Sequence, residues 1–183
     1  EFGLFHENAA EYGLPFDTPP VVSRTSVQVP DGRQVSALVW GDGPADQVEL
    51  VFVHGGSQNA HTWDTTIKAM GCPTANAVDL PGHGHTDWRD DGDYTPMSLA
   101  DDIAHAVAAL APQAKLVVGM SLGGLTSMEL AARHPHLVRS LVMVDITPGV
   151  NRQKAKAVLD FVNGPQAFPS FESLLERTIE HNP

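Results

Sequence analysis

A chain of 183 residues, 42% hydrophobic and 18% charged, has room for one domain with a sizeable core and is marginal for two. Its net charge of −11, from 22 acidic against 11 basic residues, argues against a nucleic acid or an anionic membrane as partner, since both require a positive face. No apolar run is long enough to cross a bilayer, and the single Cys72 has no internal disulfide partner, so a reducing, cytoplasmic setting is expected.

Residues 1–20 hold three prolines and no clean periodicity, and read as a surface arm. The opening Glu1-Phe2, without methionine, reads as a processed or artificial end, and no basic-then-apolar signal segment follows it. Val21 to Val29 alternates in part and predicts a strand; Pro30-Asp-Gly-Arg33 is a turn, and Val35 to Trp40 is its hairpin partner. Val48 to Val53 is nearly all apolar, as in a parallel strand buried on both faces, and runs into His54-Gly55-Gly56. A helix is expected over 62–70 with Thr62 as its cap, and a strand over 74–79 running into Leu80-Pro-Gly-His-Gly-His-Thr-Asp87.

Ser98 is the expected cap of a helix whose Leu99, Ile103, Val107 and Leu110 recur at helical spacing. Lys115 to Gly119 predicts a buried strand, a helix reaches about Arg133, and Leu141 to Val144 predicts another buried strand ending at Asp145. Strands alternating with helices imply a doubly wound, mostly parallel α/β sheet over 21–148, with the hairpin as an antiparallel edge. Residues 149–183 differ: two helices, 151–162 and 171–180, separated by Asn163-Gly-Pro165, read as the start of a helical cap or lid.

The informative stretch is Gly119-Met-Ser121-Leu-Gly123, a G-x-S-x-G between a strand and a helix. A strand that turns abruptly into a helix strains its central residue, and Gly119 and Gly123 keep the flanking chain from colliding. The Ser121 hydroxyl would then stand above the sheet edge, with the Leu122 N–H at the new helix N-terminus facing any negative charge forming beside it. In open α/β sheets chemistry collects beyond the carboxyl ends of the strands, where His54, Asp79, Ser121 and Asp145 all fall.

Together the strand into His54-Gly55-Gly56, the Asp79-Leu-Pro-Gly-His-Gly-His-Thr-Asp87 turn, the Ser121 pentapeptide and Val144-Asp145-Ile-Thr-Pro148 resemble the α/β-hydrolase family, in particular its capped, esterase-like members. The resemblance covers residues 22–148, the N-terminal part of such a fold. It implies Ser121 as nucleophile, an oxyanion hole from the Gly56 and Leu122 amides, and loop-shaping roles for His54, Gly55, Gly119 and Gly123. His83 and His85 fall in what the family uses as a structural loop; with Asp79 they also look like part of a metal site, but no further ligands suggest themselves, and neither a metal nor a cofactor is expected.

A serine needs a histidine to take its proton and an acid to orient that histidine. Asp145 is the candidate acid, in the family's order of serine, acid, histidine, although many members place the acid one strand later; Asp145 could equally shape the turn after its strand. Only His181 follows it, at the end of a cap helix. The family's final strands and catalytic histidine are not in this sequence, so the chain is expected to be a fragment, completed by a C-terminal remainder and inactive alone.

The expected function is hydrolysis of carboxylic esters or related acyl bonds through an acyl-enzyme on Ser121, acting on a small-molecule ester-like substrate. The same scaffold also serves C–C bond hydrolases, lactonases, thioesterases and cofactor-free peroxidases. A non-hydrolytic ligand-binding or interaction protein is the contrasting class.

Overall fold

The computed structural model describes residues 1–149 and 167–181, together with residues 153, 156, 160, 164 and 165. They divide into two units, Glu1–Thr147 and Pro148–Pro183.

The first unit is built on a six-stranded sheet of order β1-β2-β4-β3-β5-β6. Its strands are β1 (Val22–Gln28), β2 (Gln34–Trp40), β3 (Leu50–Val53), β4 (Ala75–Val78), β5 (Leu116–Met120) and β6 (Leu141–Val144). β1 and β2 form the expected hairpin, closed by Val29 N–H donating to Arg33 O and Gly32 N–H donating to Val29 O, each at 2.9 Å. β2 lies antiparallel to β4, whereas β4, β3, β5 and β6 run parallel. Helices α1 (Phe5–Glu11), α2 (Asp64–Ala69), α3 (Pro96–Leu110) and α4 (Leu122–Arg133) complete the unit.

Period-two alternation in the buried strands feeds two cores, one on each face. Val51 and Val53 of β3 pack in one cluster with Leu99, Ile103 and Val107 of α3 and Leu130 of α4. Phe52, between them in sequence, joins Phe5, Trp40, Trp63 and Ile67 in the other. This is why β3 reads as an unbroken apolar run: both of its faces are covered.

Four local expectations are corrected. Residues 1–20 are not merely an arm: a 3-10 turn (Phe2–Leu4) leads into α1, and Phe5 and Ala9 are buried, with the Phe5 ring edge-on to Trp40 at 5.3 Å. The helix around 62–70 starts through a 3-10 turn at Ala60, and its side-chain cap is Asn59, accepting from His61 N–H, rather than Thr62. α3 is capped by Thr95, whose hydroxyl accepts from Ser98 N–H, because Pro96 occupies the first helical position and holds Thr95 extended (φ −65°, ψ 147°). β6 pairs on one side only, with β5, among the described residues, and Val142 is 44% and Val144 36% exposed there.

In the second unit, α5 (Phe171–His181) begins where Ser170 and Ser173 exchange hydrogen bonds between hydroxyl and backbone N–H. Phe171, Leu174, Leu175 and Ile179 on it are exposed. The helix expected over 151–162 falls mostly outside the described residues. Among the described residues no helix is long and apolar enough to cross a membrane.

Candidate active site

The parallel register lines up four strand ends. Val53 pairs with both Val78 and Gly119, and Met120 pairs with Val144, so His54, Asp79, Ser121 and Asp145 all emerge along one edge of the sheet. Ser121 is the junction between β5 and α4, with φ 49° and ψ −116°. A non-glycine residue in that region costs on the order of 1–3 kcal/mol and persists only where its surroundings enforce it.

The surroundings are glycine-dependent. A Cβ on Gly119 would stand 2.5 Å from Gly123 O; one on Gly123 would stand 2.3 Å from the carbonyl oxygens of both Val53 and His54. One on Gly124 would meet Ile146 Cγ2 at 2.5 Å. These contacts let the first turn of α4 sit directly on β3 and β5. Ser121 itself is half-buried, neither sealed inside the fold nor free in solvent.

Facing it is the loop after β3. Gly55 packs against Ser121, where an added Cβ would lie 3.4 Å from Ser121 Cβ, and Gly56 lies next to the Leu122 side chain. Gly55 N–H donates to Gln58 Oε1 at 2.9 Å and Ser57 N–H to His83 Nε2 at 3.2 Å. Between them, Gly56 N–H has no acceptor among the described residues, and neither has Leu122 N–H. Two free amides therefore belong to the two loops that meet at Ser121.

His54 is fully buried. Its Nε2 accepts from Leu80 N–H at 3.0 Å, so the ring proton of the neutral imidazole sits on Nδ1 and is donated to Gly55 O at 2.7 Å. Burial pushes its pKa down to about 4, against the opposing pull of the Gly55 carbonyl. A neutral ring with both nitrogens engaged holds backbone and is unable to take a proton from Ser121.

The loop after β4 is organised by Asp79, also fully buried. Its carboxylate accepts from Ala60 N–H at 2.7 Å, from His85 N–H at 3.2 Å and from Arg24 Nη1 at 2.7 Å. Gly84 (φ 52°) passes so close that a Cβ there would stand 2.3 Å from Asp79 Oδ1. Arg24 also binds Glu1, whose carboxyl it holds down at about 2. A cavity of about 370 Å³ beside these loops is lined by Arg24, Asn59, His61, Asp64 and His85; Ser121 does not border it. The Asp64 carboxylate raises the pKa of His61, while burial raises that of Asp64. Among the described residues no three His, Cys, Asp or Glu side chains are placed to hold a metal ion.

Asp145 follows β6, is exposed and adopts φ 56°. Ser121 N–H donates to Val144 O at 2.9 Å, which ties the two strand ends together. His181 closes α5 in the second unit, and its side chain lies outside the described residues. The sequence reading missed Arg24, Gln58 and Asn59. A lone arginine in a hairpin strand was the one available signal, but the strand that separates β1 from Asp79 is visible only in the fold.

A doubly wound α/β sheet with a strained serine between a strand and a glycine-lined helix defines the hydrolase-type α/β class. The chain belongs to the alpha/beta hydrolase fold family, whose model matches residues 49–179. It is 45% identical over 189 aligned positions to the esterase Rv0045c of Mycobacterium tuberculosis, covering 100% of this chain and 60% of that protein. A solved structure of that esterase superposes with TM-score 0.80 at 44% identity, over 100% of this chain and 61% of the other. A pimeloyl-[acyl-carrier protein] methyl ester esterase of Edwardsiella ictaluri is 38% identical over 122 residues, 66% of this chain and 45% of that protein. The chain thus spans about three fifths or less of the length of these relatives.

Proposed function

We propose that the chain carries the nucleophile and oxyanion hole of a serine hydrolase that cleaves carboxylic esters of small molecules. The observation that carries this reading is the Ser121 backbone, strained at φ 49° and packed against the Gly55-Gly56 loop. Likeness to proteins named as esterases, one of them for a methyl ester, supports the ester as the bond cleaved.

In this reading Ser121 Oγ attacks the ester carbonyl carbon and the carbonyl oxygen takes the negative charge. The Gly56 and Leu122 amides, left without internal acceptors, donate to that oxygen; one such donor lowers the barrier by about 2.7–4 kcal/mol. Collapse expels the alcohol and leaves an acyl-enzyme, which water then hydrolyses. His54 shapes the loop, and Gly119 and Gly123 let α4 approach. Asp145, one strand away from Ser121, is assigned as the acid that orients the general base. That base is assigned to the length of the relatives that this chain does not span, and residues 149–183 to the start of a cap. The exposed lone thiol of Cys72 fits a cytoplasmic setting.

The test is labelling of the full-length protein by a fluorophosphonate, with the adduct mapped to Ser121, and p-nitrophenyl ester turnover abolished in Ser121→Ala. Folded full-length protein that neither labels nor turns over ester would place the chain with the binding members of the fold instead.

A further inference from the structure

The oxyanion loop has a difficulty of its own making. Gly55-Gly56 lets backbone approach closely, but glycine also frees the two peptide planes on which the donor N–H depends. An amide that swings by a few tens of degrees is of little use to an oxyanion.

Three consecutive peptide units around Gly56 are each held by a side chain. Gln58 Oε1 accepts the Gly55 N–H at 2.9 Å. His54 Nδ1–H donates to Gly55 O at 2.7 Å, and since there is no cis peptide bond among the described residues, this directs the Gly56 N–H of the same planar unit the opposite way. The next unit, Gly56–Ser57, is held through Ser57 N–H by His83 Nε2 at 3.2 Å. His83 Nδ1 lies 3.0 Å from Pro81 O, so its proton is donated there and Nε2 is left as acceptor.

The two imidazoles are reciprocal. His54, on the loop after β3, accepts from Leu80 on the loop after β4; His83, on the loop after β4, accepts from Ser57 on the loop after β3. Their rings lie 5.2 Å apart, tilted by 57°. Ser57, at φ 60°, is in the left-handed region that a non-glycine residue seldom adopts, and the bond to His83 helps to hold it there.

We infer that His83 is a positioning residue for ester hydrolysis: by accepting Ser57 N–H it locks the Gly56–Ser57 peptide, so that the Gly56 N–H stays aimed at the oxygen that develops charge beside Ser121. The inference rests on the hydrolase reading above. His83 touches no substrate and transfers no proton; its whole effect passes through one backbone plane.

The test uses the full-length protein and p-nitrophenyl ester turnover, with His83→Ala, His83→Phe and His83→Gln compared. Glutamine can place its side-chain oxygen near where Nε2 stands; phenylalanine keeps the ring and removes the acceptor. His83→Ala and His83→Phe should lose roughly 10- to 100-fold in kcat with KM within about 3-fold, and His83→Gln should recover most of the loss. Amide hydrogen exchange at Ser57 should accelerate in the first two variants only. Unchanged kcat in His83→Ala overturns the inference, and so does a phenylalanine variant as active as the glutamine one, since that would make the role packing alone. If the wild type itself neither labels at Ser121 nor turns over ester, the hydrolase reading fails first. The Ser57 exchange then still decides the clamp, since equal rates in wild type and His83→Ala would refute it.

Discussion

Gly123 offers the sharpest test of how the serine is held. On helix propensity alone, Gly123→Ala inside the first turn of α4 should stabilise the protein by about 1 kcal/mol. The structure predicts the opposite sign. The added methyl would stand 2.3 Å from two carbonyl oxygens, those of Val53 and His54, where an ordinary contact needs about 3.5 Å. Both oxygens belong to backbone at the end of β3, which is paired on both sides by β4 and β5 and has nowhere to go. The start of α4 must therefore retreat by roughly 1 Å, at the upper end of the 1–3 kcal/mol typical of overpacking. Subtracting the propensity gain leaves about 2 kcal/mol of net destabilisation. Since Ser121 and Leu122 ride on the same turn, reactivity should fall with stability, by roughly 100-fold for a displacement of that size. Gly56→Ala is the matched control: its nearest neighbour would be Leu122 Cδ2 at 3.8 Å, an ordinary contact, and the fold should not register it. Urea unfolding of both variants, read beside the rate of fluorophosphonate labelling, decides the matter. A Gly123→Ala protein as stable and as reactive as wild type would refute the reasoning.

Two further outcomes follow from the buried groups beside the site. Arg24→Met leaves the fully buried Asp79 carboxylate without its cation and should cost about 3–5 kcal/mol in urea unfolding; a loss under about 1 kcal/mol would mean that the Ala60 and His85 amides satisfy Asp79 by themselves. His54 has its folded pKa depressed to about 4 from 6.5, so its contribution is complete above pH 6.5 and is lost as pH falls toward 4, where the unfolded chain binds the extra proton. That amounts to on the order of 3 kcal/mol across the window. A ring-proton NMR titration should place His54 near pH 4, and a midpoint near 6.5 would contradict the buried, doubly bonded ring.

What could be read from the residues was whatever depends on near neighbours in sequence. Leu50 to Val53 and Leu116 to Gly119 announce strands because burial on both faces leaves no polar position to blur the run. Ser121 stands out because the steric demands of its turn fall on residues two places away on each side. Elements with a weak local signature were lost or misplaced. α1 has seven residues and buries only Phe5 and Ala9. At the start of α3, Thr95 and Ser98 are both good caps, and the choice depends on Pro96, which has no N–H to satisfy at the first helical position and holds Thr95 extended. The apolar run of β6 looks the same as that of β5, and only the strand order shows that β5 has a neighbour on each side while β6 has one among the described residues.

The side chains that reach the loop after β3 from elsewhere in the chain were hidden for a different reason. Asp79 and Arg24 are 55 positions apart, and His83 and Ser57 are 26 apart. Nothing local to either partner announces the pairing, because each bond forms only after β4 has been laid beside β3. The parallel register does this by bringing the ends of both strands to one level, and the two loops then have no room except against each other. Histidine suits that junction because a neutral imidazole both accepts and donates, so one ring can hold an amide of the opposite loop and a carbonyl of its own. The motif residues around Ser121 could be recognised because backbone sterics require them. His54, next to Gly55, could be named as loop-shaping from its motif, whereas His83 reaches Ser57 only through tertiary geometry, of which sequence spacing carries no trace.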